Sequence, residues 1–449
     1  MRRLATALLR WLAETVVRLY YPCRSVEGRE NLPSAGPALY VANHPNGLMD
    51  PLILRVATGK PIRFLAKSTF WGNPFGRLAM DAFRCLKIYR PQDVAQDGGA
   101  RGVDGPGAAV RDRNEETFAR CRAELAGGAE LALYPEGMSH SEARLKPLKS
   151  GAARIALTAL AEADARGGPW PALIPTGAWY PRKMAFRSEV RLVVGPAIDT
   201  AAAQAAFATD PRQGVEALTG DVRARIEELM VRAEADALLK DAARVAGPAP
   251  PDGRRWLSAY ARLKVEQPER LDQVVRPALR FAWAARQLGI GEPWAPERPP
   301  VSWAPIAAAV AGALVLAPLA AWGIATSWIP FRLSGWVARR LTPDDDTVST
   351  FKMIIGAAFL AGAWLLEAVA LGVAVGPGWG ALSFLLAPAA AYAGLRCAEL
   401  IRGVAAAGAL VGWRAGTVGT RRLAERRQAV AEALAGALDK TPADVPGNG

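Results

Sequence analysis

The chain has 449 residues, of which 51% are hydrophobic and 22% charged, and its net charge is +13. This length exceeds the ~150 residues expected of one domain, and the hydrophobic share excludes bulk disorder. The basic surplus indicates an anionic partner, either nucleic acid or membrane headgroups. Two histidines and four scattered cysteines without a CxxC pair argue against a His-rich metal cluster, a zinc site or a disulfide scaffold.

Residues 1–22 have the pattern of a basic amphipathic helix. Leu4, Leu8 and Leu12 recur at helical spacing, and four arginines outnumber the single acidic residue, Glu14. The segment is too short and too charged to span a bilayer. We expect it to lie in the membrane interface, and the alternative is a helix that docks on its own domain.

Residues 24–245 predict an α/β fold, with an α/β domain over residues 24–200 and a helical region with a linker over residues 201–300. Apolar runs bounded by turn residues predict strands, and helical spacing predicts two intervening helices. The predicted strands are 37–42, 61–66, 85–89, 130–134, 171–177 and 189–194, and the helices are 112–126 and 151–165. We expect a flexible loop at 92–110, charged amphipathic helices at 213–245 and 254–289, and a Pro-rich linker at 291–300.

Residues 301–415 predict a membrane region, followed by a basic helical tail on the cytosolic side at 416–449. The apolar stretches 301–328, 353–375 and 381–395 approach the ~20 residues that a spanning helix needs. The alternative is a set of buried helices in a large soluble domain.

Arginines and lysines flank these stretches, so the flanks should be cytosolic, and the second and third stretches should form a hairpin around a turn at 376–380. Pro318 interrupts the first stretch. That stretch therefore either enters and returns as a broken pair or crosses against the charge rule.

The first chemical motif is Val-Ala-Asn-His-Pro-Asn-Gly-Leu-Met-Asp-Pro at residues 41–51. A neutral imidazole at a strand end is a good general base when a carboxylate fixes its tautomer. His44 and Asp50 would have to converge through a turn at Pro45 and Gly47. The alternative is a histidine that only caps a loop.

Three further motifs follow. Residues 67–93 space cations between aromatic residues and glycines, which suits phosphate binding, although a solvated basic face would look alike. Residues 133–157 carry a Pro-Glu-Gly turn and then a helix start near Ser150, a plausible anion site. Residues 172–180 predict a buried strand broken by Pro175. The candidate residues of the second and third motifs are Lys67, Arg77, Lys87, Arg90, Glu136, Gly137, Ser139, His140, Lys146 and Lys149.

The four motifs, in this order, resemble the glycerolipid acyltransferase superfamily over roughly residues 1–200. Two features depart from its usual pattern: five residues separate His44 from Asp50 instead of four, and Met138 follows Glu136–Gly137 where a Thr-Arg is usual. The Ser-His at 139–140 and the Pro-Leu-Lys-x-Gly at 147–151 resemble the fungal-type glycerol-3-phosphate and dihydroxyacetone-phosphate acyltransferases, which shifts the expected acceptor toward glycerol-3-phosphate.

The resemblance implies a mixed sheet flanked by helices (glycerolphosphate acyltransferase-like), then a helical linker and C-terminal membrane helices. It implies that His44, oriented by Asp50, deprotonates an acceptor hydroxyl, which attacks the thioester of acyl-CoA or acyl-carrier protein. Backbone N–H groups near Glu136–Gly137 or in the second motif would bind the oxyanion.

The expected substrate-binding residues are Lys67, Arg77, Glu136, Gly137, Ser139, Lys146 and Lys149. No metal and no cofactor is expected apart from the acyl donor. The expected acceptor is glycerol-3-phosphate or 1-acylglycerol-3-phosphate, and the expected surroundings are membrane lipids, with the catalytic domain on the cytosolic face (the inner membrane in a bacterium). The alternatives are a lysophospholipid-remodelling enzyme and an inactive lipid-binding adaptor. Nucleic-acid binding is disfavoured, since no recognition motif appears.

Overall fold

The computed structural model describes residues 2–89, 105–142, 144–246, 260–264, 266–267, 269, 303–342, 347–414 and 432. The chain divides into two compact units. The first combines Met1–Ala233 with Thr342–Met353, and the second combines Glu234–Leu341 with Ile354–Gly449.

A mixed sheet forms the centre of the first unit, which confirms the predicted α/β class. Within the described residues its strands are β1 (Cys23–Glu27), β2 (Ala38–Ala42), β3 (Arg63–Lys67), β4 (Leu86–Ile88), β5 (Glu130–Leu133), β6 (Ala172–Trp179) and β7 (Glu189–Val194). Their order is β1-β7-β6-β2-β5-β3-β4. All neighbours are parallel except β6 and β7.

Helices flank this sheet. They are α1 (Arg2–Tyr20), α2 (Met49–Thr58), α3 (Pro74–Ala82), α4 (Gly105–Ala126), α5 (Gly151–Arg166), α6 (Ala201–Thr209) and α7 (Pro211–Ala246). A short 3-10 helix, Ser68–Gly72, precedes α3. The charged helix predicted at 213–245 is therefore confirmed, and α1 is helical as expected.

The core lies on both faces of the sheet. Successive side chains of a strand point to opposite faces, and β2 is buried along its whole length. Tyr40 packs in one cluster with residues of α1 and α2, whereas Leu39 and Val41 pack in another with residues of α4, α5 and α7. Both faces are thus covered, as is usual for a mainly parallel sheet.

The structure departs from the sequence predictions at three places. Strand β6 runs without a break through Pro175, which sits opposite Val41 of the parallel neighbour and accepts the Gly195 N–H at its carbonyl (2.9 Å). Strand β1 was missed because Cys23–Glu27 has a single aliphatic residue, Val26. The helix α4 already begins at Gly105, inside the segment expected to be a loop.

The apolar helices are α8 (Trp303–Leu341), α9 (Val348–Ala374) and α10 (Pro377–Arg414). Ala307–Leu341, Val348–Ala374 and Pro377–Ile401 are long and apolar enough to cross a membrane. In the second unit, Gly323 of α8 touches the Ala390 backbone of α10 so closely that a Cβ would clash. Small residues at such positions are typical of packed membrane helices.

The structure corrects two expectations here. Helix α8 is continuous through Pro318 and Pro330, so the broken, re-entrant interpretation is wrong. The turn between α9 and α10 comprises only residues 375–376, because α10 begins at Pro377. Most of 254–289, and all of 291–300, lie outside the described residues, as does the tail at 416–449 apart from Glu432.

Candidate active site

The site lies at the carboxyl end of β2. Asn43, the first residue after this strand, is 3% exposed and exchanges two side-chain hydrogen bonds with the Ala178 backbone of β6, at 2.9 and 2.7 Å. The Asn43 side-chain amide thus continues the hydrogen bonding between β2 and β6 by one residue beyond the end of β2. This anchors the start of the loop that carries His44.

His44 and Asp50 come together in spite of the extra residue between them. The loop turns where Met49 donates to the Asn46 carbonyl (2.9 Å) and Gly47 has a positive φ of 41°. Asp50 then falls in the first turn of α2, and its Oδ2 lies 2.8 Å from His44 Nδ1.

The Asp50 carboxylate is 2% exposed and accepts three hydrogen bonds. Besides the His44 ring, its donors are the Asn46 N–H (2.7 Å) and the Tyr180 hydroxyl (2.5 Å). Hydrogen bonds to the charged form stabilise a buried carboxylate. His44 is 17% exposed, and its Nε2 has no hydrogen-bond partner within the described residues.

Tyrosines surround this pair. The Tyr134 ring stacks on His44 with ring centroids 4.2 Å apart, and the Tyr21 hydroxyl accepts from the Asn46 amide (2.8 Å). Burial raises the pKa of Tyr180 and Tyr134 well above the ordinary value, and the negative charge of Asp50 adds to the shift. Both hydroxyls therefore stay protonated, and Tyr180 remains a donor to Asp50.

Glu136 joins the first and third motifs. It is 3% exposed, and one carboxylate oxygen accepts the backbone N–H of His44 (2.8 Å). The other oxygen accepts from the Lys146 N–H (3.0 Å) and contacts the His140 ring. His140 is itself buried, and its N–H donates to the His44 carbonyl (3.1 Å). The carboxylate predicted to bind substrate is thus enclosed by the protein.

The two lysines of the third motif differ in their surroundings. Lys146 forms an ion pair with exposed Glu142 (3.0 Å). Lys149 is exposed and lies over Gly137, where a Cβ would come within 2.7 Å of the ammonium nitrogen. The Gly137 N–H donates to the Tyr134 carbonyl (2.9 Å), so it is not available to an oxyanion.

The remaining predicted residues lie on neighbouring elements. Lys67 ends β3, and parallel pairing through β5 brings this strand end to the same edge of the sheet as His44. Arg77 in α3 is exposed and donates to the Trp71 carbonyl (3.4 Å). Ser139 is half-buried in the loop before His140. Lys87 lies over the Trp71 ring, 5.4 Å from its centroid, and Arg90 lies outside the described residues.

Sequence reasoning missed Lys183. Its ammonium donates to the Pro45 carbonyl (2.8 Å) and to Ser141 Oγ (2.6 Å), so it bridges the loops of the first and third motifs. Its carbonyl accepts from the hydroxyls of Tyr21 (2.6 Å) and Ser349 (2.7 Å). The cluster Tyr-Pro-Arg-Lys directly after β6 was the only sequence signal for this role.

Comparisons with known proteins found a matching family model, a curated relative and a similar solved structure. Residues 23–174 match the family model described as Acyltransferase. A curated relative, the chloroplastic 1-acyl-sn-glycerol-3-phosphate acyltransferase BAT2 of Brassica napus, is 28% identical over 132 residues, which is 29% of this chain. The match spans about a third of that relative's length (33%).

Among solved structures, the 1-acyl-sn-glycerophosphate (LPA) acyltransferase PlsC from Thermotoga maritima is similar at 17% identity and a TM-score of 0.34, covering 51% of this chain and 80% of that one. The family match includes His44 and Asp50. Residues 23–174 are therefore similar to acyltransferases, and the curated relative is one that acts on a glycerolipid.

Proposed function

We propose that the protein transfers a fatty acyl group from the thioester of acyl-CoA or acyl-carrier protein to a hydroxyl of glycerol-3-phosphate or 1-acylglycerol-3-phosphate. The single observation that supports this most is the 2.8 Å contact between His44 Nδ1 and Asp50, in a site where none of the described residues forms a hydrogen bond with Nε2. A histidine with one nitrogen fixed and the other available is the arrangement of a general base.

In the proposed reaction, His44 Nε2 takes the proton of the acceptor hydroxyl while the oxygen of that hydroxyl attacks the carbonyl carbon of the thioester. The tetrahedral intermediate collapses with cleavage of the C–S bond. The leaving thiolate takes the proton back from the imidazolium, and the products are an oxygen ester and a free thiol. Asp50 holds the Nδ1–H tautomer and stabilises the imidazolium.

No acyl-enzyme is required. A covalent route through cysteine needs a thiolate, whereas burial raises the pKa of Cys85 and of Cys121 to about 12. The described thiols of this unit are therefore neutral at physiological pH. This favours direct transfer to the acceptor.

Lys149 is our leading candidate for the acceptor phosphate. Its side chain extends over Gly137, the neighbour of Glu136 in the sequence. No carboxylate pairs with Lys149 within the described residues. Lys146 has Glu142 as a partner instead. Lys67 and Arg77 complete the proposed cationic edge, since charge-assisted contacts are the stronger phosphate ligands.

The proposal includes an integral membrane protein with a cytosolic catalytic domain. Thr342–Met353, which includes the connection after the first span and the beginning of the second, belongs to the same unit as the catalytic domain. Its Lys352 donates to the Met184 carbonyl at 2.9 Å. This connection and the catalytic domain therefore share one side, and its basic flanks favour the cytosol.

The test is an assay of purified membranes with labelled acyl-CoA or acyl-carrier protein against a panel of acceptors. We expect ester formation with glycerol-3-phosphate or 1-acylglycerol-3-phosphate and none with phosphate-free glycerol analogues. Transfer only to lysophospholipids with larger headgroups would point to a remodelling enzyme. Absence of transfer to every acceptor would favour an inactive adaptor.

His44→Ala should lower kcat by ~10²–10⁴-fold, the usual contribution of general-base catalysis. His140→Ala is the matched control, because His140 is the second histidine of the site but is buried against Glu136. We expect a smaller loss in this variant. Normal turnover of His44→Ala in folded protein, with loss in His140→Ala, would reverse the assignment.

A further inference from the structure

A second cationic site lies at the opposite end of the sheet. A cavity of about 360 Å³ opens where β5 and β3 begin, and its lining includes Arg10, Arg55, Arg63, Arg84 and Glu130. His44 follows the carboxyl end of β2, which runs parallel to β5. Strands rise about 3.3 Å per residue, so the length of a strand separates this cavity from the proposed active site.

The cavity has more positive charge than its carboxylates neutralise. Arg55 is paired with Glu14 (2.9 Å), and Arg63 with Glu124. In contrast, the side chains of Arg10 and Arg84 have neither a hydrogen bond nor an ion pair within the described residues. Two guanidinium groups on one concave surface are therefore available to a ligand.

Glu130 does not cancel this charge. Its carboxylate accepts from the buried Tyr40 hydroxyl (2.9 Å) and lies 3.5 Å from the Lys60 ammonium. The acidic group of the cavity is thus already engaged by a donor and a cation of its own. The cavity as a whole favours an anion.

The backbone at Arg84 is a second, independent observation. Arg84 has a φ of 51°, in the left-handed region that favours glycine. The chain turns there after α3, where Cys85 donates to the Met80 carbonyl (2.9 Å). Glycine is the usual residue at such a helix end, yet an arginine occupies it and lines the cavity. Strain of this kind is concentrated at functional positions.

We propose that this cavity binds a phosphate group, held by the guanidinium groups of Arg10 and Arg84 with support from Arg55 and Arg63. Guanidinium forks match phosphate oxygens in geometry and in charge. The phosphate can belong to a lipid headgroup or to a free anion. The lipid source has additional support, because the helix that carries Arg10 exposes Leu8 and Trp11, at 64% and 60%.

The experiment uses the full chain in neutral detergent at constant ionic strength. Isothermal titration is performed once with inorganic phosphate and once with dioctanoyl phosphatidic acid. The test variant is Arg10→Gln/Arg84→Gln. The matched control is Arg120→Gln/Arg212→Gln, which removes the same charge at two exposed positions outside the cavity. Binding near His44 is common to all of these proteins, so differences between them report on the cavity.

We expect the test variant to bind at least ~10-fold more weakly than wild type, since each charge-assisted contact contributes about one decade in affinity. Weaker binding of both probes would identify the phosphate group itself as the ligand. An effect on phosphatidic acid alone would identify the lipid headgroup, and an effect on inorganic phosphate alone the free anion.

Equal affinities of wild type and test variant for both probes would overturn the proposal, and so would an equal loss in the control or no binding to wild type. If the double variant fails to fold by circular dichroism, Arg84→Gln alone replaces it. Arg84 is exposed, and its side chain has no hydrogen bond or ion pair within the described residues, so this single variant keeps the test decisive.

Discussion

Replacing Asp50 with Asn tests the proposed mechanism most directly. An Asn side chain keeps the shape of the carboxylate. Its oxygen can still accept from His44 Nδ1 and the Asn46 N–H, and its NH₂ group can donate to Tyr180. The change therefore removes the negative charge while it preserves the packing of a residue that is 2% exposed.

The contact distance sets the scale of the effect. Two unit charges 2.8 Å apart interact by about 6 kcal/mol at an effective dielectric constant of ~20. This is an upper limit, because burial of both groups offsets part of the attraction. At ~1.4 kcal/mol per decade the limit corresponds to ~10⁴-fold. We therefore expect Asp50→Asn to lower kcat by ~10²–10⁴-fold with little change in KM for the acceptor.

The assay is steady-state acyl transfer by the purified full chain in neutral detergent, with circular dichroism to verify folding. Tyr180→Phe is the matched control, because it removes one donor to Asp50 and leaves the charge. A net hydrogen bond contributes about 0.5–1.5 kcal/mol, or roughly 2- to 12-fold in rate. A kcat of folded Asp50→Asn within threefold of wild type would refute our account of the pair.

Two further predictions concern the lysines and the thiols. Lys149→Ala should raise KM for a phosphate acceptor by about 10- to 150-fold, from a contact of ~1.5–3 kcal/mol. Lys146→Ala should do so less, since Lys146 is paired with Glu142; KM values of both variants within twofold of wild type would move the phosphate contact to other cations. Cys85 and Cys121 should resist iodoacetamide at pH 8 in folded protein and react after denaturation, as peptide mass spectrometry can measure. Because burial raises the pKa of both thiols to about 12, their contribution to the free energy of unfolding is complete below pH ~9 and is lost as pH rises through 12. Stoichiometric labelling of Cys85 and Cys121 by iodoacetamide in the native protein at pH 8 would contradict the expected resistance of these thiols.

Parallel strand topology explains why motifs that are far apart in the sequence lie close together in the fold. Motifs that directly follow β2 and β5 must meet at the same edge of the sheet, because the carboxyl ends of parallel neighbours lie together. The predicted strands and the continuous apolar stretches depended on strong local patterns. Polar residues immediately after a buried strand were therefore recognisable as site candidates.

Contacts between distant segments could not be predicted in this way. Tyr180 and Lys183 reach Asp50 and Pro45 across more than 100 positions of the chain, and the Tyr-Pro-Arg-Lys cluster after β6 does not indicate which residues they contact. Pro175 misled the prediction because proline usually interrupts a strand, whereas parallel pairing with β2 continues through it. Whether a residue binds substrate or supports the loops depends on such tertiary contacts.

Glu136 illustrates that distinction. Its conspicuous place in a Pro-Glu-Gly turn marked it as a substrate ligand, yet both carboxylate oxygens are used inside the protein, toward His44 on one side and toward Lys146 and His140 on the other. The two histidine–carboxylate pairs, His44–Asp50 and His140–Glu136, therefore differ in whether a ring nitrogen can reach a substrate. The His44 pair is partly exposed, and its Nε2 is without a hydrogen-bond partner in the part of the chain that the structure describes. The other pair is buried, and its carboxylate holds the backbone of the proposed base. We therefore interpret Glu136 as a residue that positions the backbone of His44. The proposed phosphate contact is then made by the cations near Glu136.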